Sequence, residues 1–208
     1  MSRRRGTAAL IAGIALLAGV QAVPRVLRAP APPRSETPTG AYGELATWFE
    51  PNHGQAATGV DFVARSGARS ALLTAGGPVF SLAAGRPVLF GLVGAKRSPA
   101  EGSLPLAGVS NYLRGSNPAA WRTGVAHFGQ VTYQGVWPGI DVVYRGQGAA
   151  LEYDFVVHPG ADPSTIAVAV EGADALTPAA GGDLVASVGA SEIRQSAPVV
   201  YQERGGAR

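Results

Sequence analysis

Two carboxylates on one stretch of the chain are the first candidates for chemistry. Glu152 and Asp154 stand two residues apart in LEYDFVV (residues 151–157), so both side chains should project from one face of a strand. A glycoside hydrolase needs two carboxylates about 5–9.5 Å apart across a cleft, and this spacing meets that distance. A solvated strand face, with Arg145 as the partner across a hairpin, is the more frequent outcome. Hydrolysis by Glu152 and Asp154 is therefore kept as a remote alternative.

Calcium binding is a second use for the same acids. Asp141, Glu152 and Asp154 carry carboxylate oxygens, and calcium takes about six to eight oxygen ligands. The chain has no Asp-x-Asp-x-Asp-Gly loop, which is the pattern that presents such oxygens to one ion. We therefore assign no metal ligand and no cofactor.

The histidines and serines give no catalytic pattern. His53, His127 and His158 are distant from one another in the sequence, whereas metal sites usually show close pairs such as H-x₃-H. Ser110, His127 and Asp141 are the residue types of a catalytic triad, but the chain lacks the G-x-S-x-G motif that positions such a serine. The sequence consequently predicts no catalytic residue.

Three aromatic residues are candidates for a ligand platform. Trp121 lies in a short turn, Trp137 precedes a Pro-Gly turn, and Tyr133 lies on the strand that leads to it. Aromatic side chains in a β-domain are more often core, since each buries about 150–250 Å². A carbohydrate-binding module is thus the alternative function, and it requires Trp121 and Trp137 to be exposed and coplanar.

Short strands must position all of these side chains. Residues 140–145 alternate in hydrophobicity, Gly146-Gln147-Gly148 can form a tight turn, and residues 151–157 return as a second strand. Residues 158–163 contain two prolines and a glycine, which end that strand. Similar segments recur along the chain with turn signals every ~8–12 residues, and residues 116–121 resemble one capped helical turn. The pattern predicts an all-β, antiparallel, β-sandwich-like domain of about ten short strands.

Composition excludes several classes of protein. The chain has 208 residues, which suit one domain plus a leader, and it has no cysteine for a disulfide scaffold, a thiolate zinc site or a lipoprotein anchor. The formal charge is +3, but without Arg3, Arg4 and Arg5 the remaining 14 basic residues balance 14 acidic ones. A nucleic-acid partner is not expected, because the folded part has no basic patch.

The N-terminus has the pattern of a secretory leader. Arg3 to Arg5 form a positive region, residues 8–20 are uncharged and mostly apolar, and Val20-Gln21-Ala22 offers small residues for cleavage after Ala22. We predict a signal peptide at 1–22, a Pro-rich linker at 23–40 and the all-β domain at 41–208. An uncleaved leader is the alternative, and it would be the sole contact with a membrane.

Several separated segments carry a family resemblance. They are residues 48–55 (WFEPNHGQ), 110–112 (SNY), 121–123 (WRT), 133–141 (YQGVWPGID), 151–157 (LEYDFVV), 159–163 (PGADP), 193–195 (IRQ) and 198–202 (PVVYQ). Together they resemble the domain of unknown function at the N-terminus of secreted bacterial proteins with SBBP-type β-propeller repeats. The resemblance covers about residues 45–203 and implies secretion, an all-β fold and no assigned site.

Family members run on past the Tyr-Gln-Glu segment into further strands and repeats, so the resemblance also predicts a domain incomplete at its C-terminus. We therefore expect a secreted or cell-surface, non-enzymatic β-module for cell-surface assembly, adhesion or scaffolding. Its expected partners are β-propeller repeats or another cell-surface protein, with a glycan as the alternative.

Overall fold

The computed structural model describes residues 9–18, 47–66, 69–82, 86–148 and 150–203, the first of these ranges by its backbone. The arginines of the predicted leader, its cleavage site at Ala22 and the linker at 23–40 lie outside the described residues. Within the described ranges, no helix is long and apolar enough to cross a membrane.

The described residues are almost entirely β-structure. The strands are β1 (Ala9–Ala18), β2 (Trp48–Pro51), β3 (Phe62–Ser66), β4 (Arg69–Thr74), β5 (Gly77–Ser81), β6 (Pro87–Leu92), β7 (Ala100–Tyr112), β8 (Arg122–Trp137), β9 (Ile140–Gln147), β10 (Ala150–Val157), β11 (Val168–Glu171), β12 (Ala175–Pro178), β13 (Leu184–Val188), β14 (Ser191–Gln195) and β15 (Val199–Glu203). Short 3₁₀ turns occur at Pro118–Ala120, Pro163–Thr165 and Ala180–Gly182. The first has Asn117 as its cap and Pro118 at its start, as the sequence predicts.

One curled antiparallel sheet makes up most of the fold. Its nine strands run in the order β11-β6-β5-β4-β3-β2-β8-β9-β10, and β7 pairs with β8 outside this path. Strands β14-β13-β12 form a small second sheet, and β1 lies between β10 and β14 while also pairing with β15. The prediction of an all-β antiparallel fold is confirmed.

The alternation in β9 and β10 fills the inside of the curled sheet. Tyr144 lies opposite Tyr153 and Val142 lies opposite Phe155, and all four side chains are buried. Tyr133 packs edge-on against Tyr144, with their ring centroids 5.8 Å apart. The core is thus a row of aromatic rings, built by residues that recur at every second position of adjacent strands.

Three tyrosine hydroxyls enter this core, and they differ in their partners. Tyr133 donates a hydrogen bond from its hydroxyl to Asp61 Oδ2 at 3.1 Å. The hydroxyls of Tyr144 and Tyr153 are buried and have no hydrogen-bond partner within the described part of the chain. A buried hydroxyl without a partner loses its bonds to water, so these two groups oppose folding.

The apolar stretch predicted as the centre of the leader is a strand in the structure. β1 pairs antiparallel with β10 from Leu10↔Val157 to Leu16↔Leu151. Its other edge pairs with β15 from Ala9↔Glu203 to Gly13↔Val199, and then with β14. β1 therefore joins the nine-strand sheet to the small second sheet.

β7 and β8 form a long hairpin. β7 has 13 residues and β8 has 16, and among the described residues β7 forms strand pairs with β8 alone. The backbone of β7 is irregular, because Leu104 has φ 55°, Pro105 follows it, and the register shifts between Leu106 and Val109. Exposed apolar side chains concentrate on this hairpin: Leu104, Leu106, Val109 and Leu113.

Candidate functional site

Glu50 is a charged side chain that the fold buries, with 1% of its surface exposed. Its placement follows from the alternation of β2, in which Phe49 enters the core while Trp48 and Glu50 share the opposite face. Trp48 Nε1 donates a hydrogen bond to Glu50 Oε1 at 2.9 Å. This face of β2 is therefore organised around a carboxylate.

Neighbouring strands supply the other partners of this carboxylate. Ser110 on β7 donates a hydrogen bond to Glu50 Oε1 at 2.6 Å, and the Tyr112 hydroxyl donates to Oε2. Arg65 on β3 places its Nε 3.7 Å from Oε2 and donates from Nη2 to the Tyr112 hydroxyl at 2.9 Å. Six residues form what we call the Glu50 cluster: Trp48, Glu50, Arg65, Ser110, Tyr112 and His127.

His127 on β8 completes the Glu50 cluster. Its Nε2 lies 2.8 Å from Ser110 Oγ and 3.5 Å from Glu50 Oε1. Its ring stacks on Trp48, with the centroids 5.2 Å apart and the planes inclined by 27°. The structure thus brings Ser110 and His127 together, but beside Glu50, whereas Asp141 lies elsewhere.

The geometry of these three groups differs from that of a catalytic triad. In a triad the serine and the carboxylate contact opposite nitrogens of the imidazole, so that the carboxylate orients the ring while the other nitrogen takes the proton. Here Ser110 and Glu50 both approach Nε2 of His127. Ser110 donates its proton to Glu50 Oε1, so the hydroxyl is held by the carboxylate and not by a histidine that a carboxylate orients.

The electrostatics of the Glu50 cluster favour an ionised carboxylate. Burial alone raises the pKa of Glu50, but hydrogen bonds from Ser110, Tyr112 and Trp48, together with the charge of Arg65, bring it below its ordinary value. The pKa of Tyr112 is raised, first by burial and then by its hydrogen bond to the same carboxylate. Both shifts keep Tyr112 protonated as a donor and Glu50 charged as an acceptor.

A polar loop next to the cluster is closed by Arg122. Asn52 binds this loop internally, because its Nδ2 donates to the carbonyls of Ala57 and Val60 while its Oδ1 accepts from the backbone N–H of Gly54. Arg122 donates from Nε to the carbonyl of His53 at 2.7 Å. Segments 48–55, 110–112 and 121–123, which carry part of the family resemblance, therefore meet at one place.

The predicted carboxylate pair has a different setting from the one expected. Asp154 is 1% exposed and forms an ion pair with Arg145, whereas Glu152 is half-buried. The expectation of a wet face on β10 is thus wrong at Asp154. The partner proposed from the sequence, Arg145, is correct, and its Nε also donates to Gln130 Oε1 at 3.0 Å.

Asp141 forms a separate pair at the surface. Its Oδ2 lies 2.8 Å from His158 Nε2, and its Oδ1 accepts a hydrogen bond from the backbone N–H of Gly135 at 2.7 Å. These contacts of Asp141 are therefore with His158 and Gly135, and not with Glu152 or Asp154 on β10. In the described ranges, no three His, Cys, Asp or Glu side chains are grouped so that they could hold a metal ion.

The three aromatic residues of the predicted ligand platform do not form one surface. Trp137 is 3% exposed and donates from Nε1 to the carbonyl of Val93, and Tyr133 is 1% exposed in the core. Trp121 is half-buried and donates from Nε1 to the carbonyl of Gly115. The exposed, coplanar pair that a glycan platform requires is therefore absent at these positions, since Trp137 serves the core.

No pattern in the sequence predicted Glu50 as the centre of a cluster. The available signal was the i, i+2 spacing of Trp48 and Glu50, which places an indole N–H beside a carboxylate on one strand face. The partners on β7 could not be predicted from this spacing, because they lie about sixty residues away in the chain.

Comparison with known proteins gives one result. A family model described as a domain of unknown function, DUF7948, matches residues 49–208. No curated protein matches the chain, and no solved structure matches it. The matched range begins at the core residue next to Glu50 and includes every residue of the Glu50 cluster except Trp48.

Proposed function

Because the chain belongs to a family of domains of unknown function (DUF7948), we propose its role from its geometry: an exported, non-enzymatic β-module that acts in cell-surface assembly, adhesion or scaffolding. The observation that carries this proposal is the β7–β8 hairpin, which carries four exposed apolar side chains, Leu104, Leu106, Val109 and Leu113.

The Glu50 cluster supports a binding role for the hairpin. Ser110 and Tyr112 are on β7 and His127 is on β8, so the buried carboxylate of β2 adds side-chain contacts that hold β7 and this part of β8 against β2. A rigidly held surface loses less conformational freedom on association than a mobile one. The polar groups of the cluster are used within the molecule, which favours an anchoring role for them over a role in turnover.

The apolar side chains of the hairpin support the same role. Leu106 is 47% exposed and Val109 is 56% exposed, and Leu104 and Leu113 are exposed beside them. Single exposed apolar residues are ordinary, but several on one hairpin favour a contact surface. The resemblance to domains that precede SBBP-type β-propeller repeats suggests such repeats, or another cell-surface protein, as the partner.

Export is tested by expressing the full chain with a C-terminal epitope in a bacterium, followed by fractionation and intact mass measurement. We expect the product outside the cytoplasm to begin at Val23. A variant with Arg3, Arg4 and Arg5 changed to serine should stay inside with residues 1–22 intact, because the positive region is lost. An unprocessed, cytoplasmic product from the unmodified chain would contradict the proposal.

The contact surface is tested separately, by the fraction of exported protein that stays on the cell. Leu106→Lys with Val109→Lys should lower this fraction, because charges would replace apolar contacts. The matched control is Leu176→Lys, since Leu176 is 46% exposed on β12, away from the hairpin. Equal retention of both variants would show that the hairpin does not make the contact.

A further inference from the structure

β1 is an interior strand that belongs entirely to the predicted leader. On one side it pairs with seven residues of β10, and on the other with five residues of β15 and three of β14. In the described pairings, β12, β13 and β14 reach β10 through β1 alone. Cleavage after Ala22 would therefore remove a central strand and not a peripheral one.

Loss of β1 would leave two facing strand edges. Along β10, residues 151–157 would lose their pairing on that side, and β14 and β15 would lose theirs across the same gap. Unpaired backbone N–H and C=O groups must find partners, and a free edge is a template for an added strand. The gap would also open the core, because β10 contributes three buried side chains to it, those of Leu151, Tyr153 and Phe155.

We propose that the gap between β10 and the β14–β15 edges is a strand-acceptor site. Once residues 1–22 are removed, it takes an uncharged apolar strand from a partner polypeptide. This inference rests on the proposed export. Within the precursor, residues 9–18 occupy the same site and keep the sheet closed.

The precursor strand defines the chemistry of the partner. The pairing with β10 covers residues 10–16, so the incoming strand needs at least seven residues in an antiparallel direction. The core residues Tyr153 and Phe155 are in register with Ile14 and Ala12. The positions of the incoming strand that pair with these two residues should therefore be aliphatic or small. β1 reads ALIAGIALLA and carries no charge, which suits strand edges on either side of an apolar core.

Residues 23–47 of a second copy do not supply such a strand. Between residue 22 and β2, the chain contains five prolines and the charged residues Arg25, Arg28 and Arg34. Proline lacks the N–H that a central strand requires, and it is confined to edges and bulges. The donor is therefore a different polypeptide with a longer apolar run.

The placement of β1 is tested first, by disulfide formation in the full chain. The protein has no cysteine, so an introduced pair reports one contact alone. Ala12 and Val200 are in register, and Ala12→Cys/Val200→Cys should form a disulfide on oxidation. Ala12→Cys/Leu176→Cys, with Leu176 on β12, is the mismatched control and should not. No disulfide in the matched pair, or equal disulfide in both, would overturn the proposal.

The acceptor site is tested next, by peptide rescue. Ile14→Pro in the full chain should lower Tm because proline breaks the central strand, whereas Ala29→Pro in the Pro-rich segment should leave Tm unchanged. A peptide of residues 8–19, with two lysines added at each end for solubility, should raise the Tm of Ile14→Pro in a saturable way. It should leave the unmodified chain unchanged, because β1 already fills the site. The same peptide with proline in place of Ile14 should have no effect.

Three results would overturn the proposal. The first is equal Tm for Ile14→Pro and Ala29→Pro. The second is rescue by both peptides, which would mean unspecific binding. The third is a dimer of Ile14→Pro that regains the original Tm without peptide, since a second copy would then fill the site. If Ile14→Pro aggregates, it is refolded from urea with peptide, and failure to recover monomer counts against the site. Fractionation decides export independently of all these measurements.

Discussion

Replacement of Glu50 by glutamine gives the sharpest test of the Glu50 cluster as an anchor. The carboxylate accepts hydrogen bonds from Trp48, Ser110 and Tyr112, with Arg65 close by. A hydrogen bond to a charged group contributes about 1.5–3 kcal/mol. Glutamine keeps the volume and one acceptor oxygen, but it turns an N–H₂ group toward the Tyr112 donor. We therefore expect Glu50→Gln to lower the free energy of unfolding by about 2–4 kcal/mol.

The measurement is urea unfolding at pH 7, followed by tryptophan fluorescence and by far-ultraviolet circular dichroism. Trp48 donates to the substituted side chain, so one of the three tryptophans that contribute to the fluorescence lies in the cluster itself. The control is Glu192→Gln, because Glu192 is an exposed glutamate on β14 and should change the free energy of unfolding by less than about 0.5 kcal/mol. A Glu50→Gln value within that range would refute the anchoring role.

The difference in free energy of unfolding between the unmodified protein and Glu50→Gln should depend on pH. The pKa of Glu50 in the folded protein lies below its ordinary value of 4.5, so the ionised form stabilises the fold above that value. This contribution is lost as the pH falls through the lowered pKa, and glutamine has no such contribution to lose. The stability gap between the two proteins should be constant near neutral pH and should narrow as the pH drops below about 4.5. A gap that is unchanged down to pH ~3 would contradict the shift.

Five further substitutions test the core and the turns by the same unfolding measurement. Tyr144→Phe removes a buried hydroxyl without a partner in the described part of the chain and should stabilise the fold by about 1 kcal/mol. Tyr133→Phe removes a hydrogen-bonded hydroxyl and should destabilise the fold by a similar amount. A change of the same sign in both variants would contradict this difference between the two hydroxyls. Asp154→Asn breaks the buried ion pair and should cost about 3 kcal/mol, toward the low end because its arginine partner reaches solvent; a loss under ~0.5 kcal/mol would refute it. Gly77→Ala should lower the free energy of unfolding by about 3 kcal/mol, since φ is +118° and a Cβ would lie 2.2 Å from a β6 carbonyl oxygen. Gly59→Ala is the control and should lower it less, because φ is +90° but a Cβ there would meet no other atom.

The sequence was informative where one strand carried its own pattern. Residues 151–157 were correctly predicted as a strand, and their alternation brings Tyr153 and Phe155 to one face, which the structure buries. The turn at 116–121 was correct for a similar reason, since Asn117 and Pro118 act within one turn. Local rules suffice when every participating residue lies within a few positions.

The sequence was misleading where the outcome depended on a distant strand. Asp154 has the pattern of a solvated residue, yet it is buried, and Trp137 beside a Pro-Gly turn is core because it reaches the carbonyl of Val93. The Glu50 cluster needs Ser110 and Tyr112 from β7, which alternation within β2 cannot reveal. Periodicity identifies the two faces of a strand, but it does not say which neighbour covers each face.

The irregular backbone of β7 has a consequence for how copies of this molecule meet one another. A regular 13-residue edge would offer an uninterrupted row of hydrogen-bonding groups, on which chains could add one after another into fibrils. Pro105 removes one N–H from that row, and the left-handed turn at Leu104 with the shift after Leu106 bends the rest away from a straight register. The hairpin thus exposes apolar side chains while its backbone resists the addition of further strands, so an exposed apolar surface need not lead to polymerisation.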